Sequence, residues 1–279
     1  MPSNKLGLIA GSGDLPLSLA NHAKAEGRDV FIVGIAGFAE DKLLNQFDHK
    51  VISVGEVGKQ LKALKEADVD EVCFAGIVKR PDFQNLKLDA KGLFILPKVI
   101  AAASQGDDAL LRVLVQTIEG AGLKVVGADD VLSNLLVEAG ALGKITPNQQ
   151  DIKDIEKAAD IAAQIGKLDI GQGAIVCDGL VLAVEAQEGT DLMLERCALL
   201  PSNLRGTADK PRGVLVKRPK PVQERRIDLP TIGLQTLRGL KAANLAGVAF
   251  EANSALLIDR EKLIEYADSN NLWIYGFEA

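Results

Sequence analysis

Five cations and two carboxylates fall within the twelve positions Lys217-Arg218-Pro219-Lys220-Pro221-Val222-Gln223-Glu224-Arg225-Arg226-Ile227-Asp228. Pro219, Pro221 and the nearby Pro230 hold this stretch in an extended, non-helical path. Cations on a stiffened backbone can neutralise phosphate oxygens, and Asp228 or Glu224 can hold a hard divalent metal or align a water. Asp228 and Glu224 are therefore the catalytic candidates, with Lys217 and Lys220 as substrate-binding cations. The plainer reading is a basic interdomain loop laced with salt bridges.

A second polar cluster, Glu185-Ala186-Gln187-Glu188-Gly189-Thr190-Asp191, follows an expected strand and opens an expected helix. Free N–H groups at that helix start, beside acids and an amide, suit a phosphate accompanied by a metal. This makes Gln187, Glu188, Gly189, Thr190 and Asp191 binding candidates, with Asp169 a weaker one. An ordinary cap built on Thr190 explains the same residues without a ligand.

Glycines mark the other half of the chain. Gly11-Ser12-Gly13-Asp14 comes between the first expected strand and a helix with Pro16 near its start, where backbone N–H groups can converge on a phosphate. The alternative is a tight turn with Asp14 as helix N-cap. Pro16 stands where a dinucleotide fingerprint needs its third glycine, and Val33-Gly34-Ile35 lacks the ribose-binding acid, so a nicotinamide or flavin dinucleotide is disfavoured. After a later strand, Gly76 and Lys79, with Arg80, offer a second phosphate-binding loop on the same rim, or two solvated charges.

The remaining residue types narrow the chemistry. His22 and His49 are the only histidines, too few for a His-rich zinc centre, and neither a Gly-x-Ser-x-Gly elbow nor a Cys-His pairing is present. Carboxylates, cations and glycine loops remain, the parts needed for metal-assisted attack of water on phosphorus. Cys73, Cys177 and Cys197 are widely spaced in apolar stretches and read as reduced core residues rather than a disulfide framework. A formal charge of -6 and a pI near 5.2 argue against a nucleic-acid partner.

These residues must be positioned by an α/β framework. Apolar, β-branched runs at 6–10, 30–35, 51–54, 71–75 and 124–126 alternate with helical patterns at 16–25, 57–67, 93–103 and 108–119, the signature of a mostly parallel, Rossmann-like sheet. Such sheets bind ligands beyond the carboxyl ends of their strands. Gly, Pro and amide residues then replace apolar periodicity, dividing the chain into an N-terminal domain at 1–140, a linker at 141–150 and a C-terminal α/β domain at 151–279. The second domain is expected to contain a hairpin closed by Asp178-Gly179. The start of the chain leaves no room for a signal peptide, and no uncharged run approaches the ~20 residues of a membrane span, so a cytoplasmic protein is expected.

Gly11-Ser12-Gly13-Asp14, Leu168-Asp169-Ile170-Gly171-Gln172-Gly173, Val184 through Asp191 and Arg226-Ile227-Asp228-Leu229-Pro230-Thr231-Ile232-Gly233 together closely resemble the LpxI family of UDP-2,3-diacylglucosamine pyrophosphatases of lipid A biosynthesis. The resemblance runs from the first strand to the last. It implies magnesium-dependent hydrolysis of UDP-2,3-diacylglucosamine to UMP and 2,3-diacylglucosamine 1-phosphate (lipid X), in a cleft between two domains. The family's essential aspartate falls on Asp228, as metal ligand or activator of water. Glu224 stands where the family pattern often has aspartate, so its reach differs by a methylene. Glu188, Thr190 and Asp191 are implied to line the cleft. The implied partner is a nucleotide-activated glycolipid, with at most peripheral contact with the inner face of the inner membrane and a homodimer left open. Two acyl chains call for an apolar interdomain tunnel or a bilayer-resting patch, and the lack of a basic amphipathic pattern favours the tunnel. A non-catalytic nucleotide-sugar or lipid binding module is the competing functional class.

Overall fold

The computed structural model describes residues 5–79, 86–132, 136–220, 226–227 and 229–278. The chain divides into two compact units; of the described residues, the first holds 5–132 with Arg226 and Ile227, and the second holds the others.

In the first unit the chain runs β1 (Lys5–Ala10), α1 (Leu15–Ala25), β2 (Asp29–Ile35), α2 (Asp41–Leu44), β3 (Asp48–Ile52), α3 (Val57–Glu66), β4 (Glu71–Ala75), α4 (Ala90–Ala103), α5 (Asp107–Glu119), β5 (Lys124–Val125) and α6 (Ala128–Val131). The five strands form one parallel sheet in the order β3-β2-β1-β4-β5. β1 and β2 are almost entirely buried because helices cover both faces, which is why their sequences are continuous apolar runs rather than alternating ones. On one face Phe31, Val33 and Val72 pack with Leu61 and Leu64 of α3 and Val115 and Ile118 of α5. The chain leaves β1 towards one neighbour and reaches β4 on the other side, so the strand order reverses between them. Loops after β1 and β4 therefore open at the crevice where such sheets receive ligands.

β3 departs from expectation. It spans Asp48–Ile52 rather than 51–54, and its first four residues are exposed. As an edge strand it pairs through backbone with β2 while its polar side chains face solvent, so hydrophobic pattern is a poor guide to its position.

The second unit contains β6 (Gly140–Ala141), α7 (Gln149–Lys167), β7 (Gly173–Cys177), β8 (Leu180–Val184), α8 (Gly189–Ala198), β9 (Val214–Lys217), β10 (Thr231–Ile232), α9 (Leu234–Ala242), β11 (Gly247–Glu251), β12 (Leu256–Leu257), α10 (Arg260–Ser269) and β13 (Trp273–Phe277). Its main sheet has the order β6-β13-β11-β9-β7-β8, parallel at β13-β11-β9 and antiparallel elsewhere; β10 and β12 pair separately. One face packs Ile175, Leu215 and Phe250 against Met193 of α8 and Leu237 of α9. The other packs Ala174, Val214 and Trp273 against Ile155 and Ala158 of α7.

The expected hairpin is present between β7 and β8, with Asp178 at φ 49° and Gly179 at φ 77°, the sign combination of a type I′ turn. Asp154 of α7 fixes it, accepting from the N–H groups of Asp178 at 2.7 Å and Gly179 at 2.8 Å while itself only 1% exposed. Among the described residues, no helix is long and apolar enough to cross a membrane.

Candidate active site

In the first unit the loops after β1 and β4 are joined backbone to backbone. Ser12 N donates to Ile77 O at 3.0 Å, Ile77 N donates to Ser12 O at 2.9 Å, and Gly11 N donates to Ala75 O at 2.8 Å. Only glycine permits this approach. A Cβ on Gly11 would strike the Ile77 carbonyl, and one on Gly76, which has φ +84°, would stand 2.6 Å from Ser12 O. Gly11, Gly13, Asp14, Gly76 and Lys79 are thus gathered at the switch point of the parallel sheet. Lys79 is exposed, and Gly13 has φ +97° with open space around it.

A feature invisible along the sequence completes this rim. Gly13 N donates to Glu40 Oε1 at 2.6 Å, and Lys42 Nζ bridges Asp14 Oδ1 at 2.6 Å and Glu40 Oε2 at 3.0 Å. The Gly13 amide, and next the Lys42 ammonium, hold the Glu40 carboxyl below its ordinary range, while Asp14 and Glu40 raise the Lys42 ammonium. A carboxylate therefore already occupies one loop N–H. Asp14 precedes α1 without capping it through its side chain, which is turned to Lys42.

Arg226 and Ile227 also belong to the first unit. Arg226 Nη1 donates to Glu119 Oε1 at 2.6 Å, and Ile227 packs with the apolar core between the sheet and α5. Glu224 and Asp228, the catalytic candidates, lie outside the described residues, as does Arg80.

In the second unit the polar cluster centres on Glu185, a residue absent from the binding candidates drawn from sequence. It is 5% exposed and accepts from Thr190 Oγ1 at 2.7 Å through Oε1, whereas its buried Oε2 has no hydrogen-bond partner among the described residues. Thr190 is accordingly no N-cap. It sits inside α8, whose capping position is Glu188, and its hydroxyl is committed to Glu185.

Glu185 N donates to Gly173 O at 2.8 Å, and its Oε2 lies 2.8 Å from where a Gly173 Cβ would be, so the carboxylate lies over that glycine. Gly173 pairs in turn with Lys217, which follows the face of Leu215 by strand alternation. An acid and a cation thus flank a glycine on one sheet face. Lys217 is 6% exposed and has no ion-pair partner among the described residues. A cation held on this face beside an acid, with no ion-pair partner among the described residues, suits an anionic ligand.

The other candidates are placed differently. Glu188 binds Arg196 at 2.8 Å, and that contact holds its carboxyl below the ordinary range. Gln187 and Asp191 are exposed, and Gly189 opens α8 at φ +79°. Lys220 is paired with Asp169 at 2.6 Å. Gln172, next to Gly173, has a buried Oε1 without a donor among the described residues.

Residues 5–135 match the LpxI N-terminal domain, and residues 138–275 match the LpxI C-terminal domain. The chain belongs to the LpxI family. A relative in this family, the UDP-2,3-diacylglucosamine pyrophosphatase LpxI of Caulobacter vibrioides, is 50% identical over 274 residues, which cover 98% of each chain. The two LpxI domains together span both glycine loops and both polar clusters described above.

Proposed function

We propose that this chain hydrolyses the pyrophosphate bond of UDP-2,3-diacylglucosamine, with magnesium, to UMP and 2,3-diacylglucosamine 1-phosphate in lipid A biosynthesis. The observation that carries this reading is the 50% identity, over nearly the whole of both chains, to a relative named for that substrate. The local chemistry supports it: Lys217, without an ion-pair partner among the described residues, stands on the sheet face that carries Glu185 and can meet an anion.

Among the described residues, no group of three or more His, Cys, Asp and Glu side chains could hold a metal. Magnesium does not require one, since it is commonly bound by one or two carboxylates with substrate phosphates and water completing its octahedron. Glu185 Oε2, buried and without a donor among the described residues, is a hard oxygen that fits this demand. Magnesium, when bound, neutralises charge on the pyrophosphate oxygens. Lys217 adds a fixed positive charge, Thr190 orients the Glu185 carboxylate, and Asp228 is the carboxylate that the family resemblance assigns to aligning the attacking water or binding metal. Replacement of Asp228 by Asn should abolish UMP release while leaving substrate affinity within a few-fold of wild type. Wild-type turnover by Asp228→Asn would remove Asp228 from the chemistry.

A further inference from the structure

The helix α5 ends on an acid. Glu119 is its last residue, no basic side chain stands in its last turn, and Gly120 follows as the cap. Free carbonyls make a helix end partly negative, so a carboxylate there is disfavoured unless a cation meets it. Among the described residues that cation is Arg226, whose Nη1 donates to Glu119 Oε1 at 2.6 Å from 107 positions away in sequence. A nearby acid, Glu71, is engaged instead by Arg28 and Lys124, each at 2.8 Å.

Two further contacts hold the same stretch. Gly127, between β5 and α6, lies so close that a Cβ on it would stand 3.4 Å from Arg226 Cα, and Ile227 is half-buried against the core between the sheet and α5. Lys220 and Leu229, on either side in sequence, belong to the second unit. Arg226 and Ile227 are thus pinned to the first unit by an ion pair, a close backbone approach and an apolar anchor, and the next residue in the chain is Asp228.

We propose that Glu119 is a positioning residue for the hydrolysis: by holding Arg226 it fixes the backbone from which Asp228 follows, acting through Arg226 rather than by contact with substrate. The inference rests on the functional reading above, which makes Asp228 the reactive or metal-binding carboxylate. The two side chains are 38% and 41% exposed, and a pair so open to water adds little to global stability. Its effect is on placement, since a shift of about 1 Å at a reacting group can lower a rate roughly a hundredfold.

Glu119→Gln removes the charge and keeps the shape. The expected result is a fall in kcat for UMP release of roughly fivefold or more, with KM within about twofold of wild type and Tm lowered by less than about 4 °C. A double-mutant cycle supplies the second measurement: in Arg226→Gln protein the further change Glu119→Gln should alter kcat by less than about twofold, because the pair is already gone. Arg226→Met completes the cycle if Arg226→Gln does not fold. Unchanged kcat in Glu119→Gln, a rise in KM in place of the fall in kcat, or losses that multiply in the double variant each overturn the proposal.

Wild-type protein that releases no UMP would refute the functional reading instead, and trypsin then judges the contact with Arg226. Trypsin must take an arginine guanidinium into its own acidic pocket, so it cleaves slowly after an arginine that is paired. Cleavage after Arg226, followed by mass spectrometry, should be several-fold faster in Glu119→Gln than in wild type, and equal rates would show that Glu119 does not hold Arg226.

Discussion

Alanine substitutions at Gly11, Gly13 and Gly76 separate two costs at the loops after β1 and β4. Gly13→Ala meets nothing within 4 Å but keeps φ near +97°, so it introduces backbone strain alone, roughly 1–2 kcal/mol for a left-handed non-glycine residue. Gly11→Ala has no positive φ but collides with the Ile77 carbonyl, the acceptor of the Ser12 N–H. Relief requires breaking that bond, at about 1 kcal/mol. Gly76→Ala suffers both effects, with φ +84° and a Cβ 2.6 Å from Ser12 O, itself the acceptor of the Ile77 N–H. The two contributions sum to roughly 2–3 kcal/mol. At roughly 2–4 °C per kcal/mol for a unit of this size, Gly76→Ala should lower Tm by roughly 4–12 °C, more than either other variant. Scanning calorimetry on the three variants measures the order. A larger fall for Gly13→Ala than for Gly76→Ala would show that the zipped loops do not constrain Gly76 as described.

Other consequences can be checked separately. The Glu40 carboxyl is depressed, chiefly by the Gly13 amide, so the stabilisation it contributes is present above its unfolded value near 4.5 and is lost as pH falls through its lower folded value. The Gly13 amide resonance should titrate in that acidic window in wild-type protein and not in Glu40→Gln; identical titrations would discount the contact. Burial pushes the thiol of Cys73 up to about 12 and that of Cys177 up to about 11, and also raises Cys197. All three should resist iodoacetamide at neutral pH until denaturant is added, and rapid alkylation of the folded protein, read by mass spectrometry, would contradict their burial. Glu185→Gln should weaken binding of manganese, a paramagnetic probe for magnesium, by roughly tenfold or more, and unchanged affinity would remove Glu185 from the metal site.

The framework was legible wherever a local pattern dictates an element. The continuous apolar runs of β1, β2 and β4 announce a sheet buried on both faces, and Asp178-Gly179 announces a hairpin. β6 and β10 are only two residues long and exist through pairing with distant strands, so no local pattern marks them, whereas the apolar run around Leu256 marks β12. β3 escaped correct placement because an exposed edge carries Asp48, His49 and Lys50. At the candidate site, glycine spacing located the first-unit loops but not Glu40, which lies 27 positions beyond Gly13 and meets it only through folding. Thr190 carried the residue type of a cap, yet the preceding glycine at φ +79° starts the helix and frees its hydroxyl for Glu185. Glu185 itself was one acid among several until pairing around Gly173 revealed its buried, unpartnered oxygen. Asp228 was singled out by the charge-dense segment and the family resemblance.

Incubating the purified protein with UDP-2,3-diacylglucosamine, and following UMP and lipid X by chromatography with magnesium, after chelation and after magnesium is restored, tests hydrolysis itself. Release of UMP and lipid X in equal amounts, abolished by the chelator and recovered with magnesium, is the predicted result. Intact substrate in the presence of magnesium, with binding still detectable by calorimetry, would contradict hydrolysis and leave a binding module in its place.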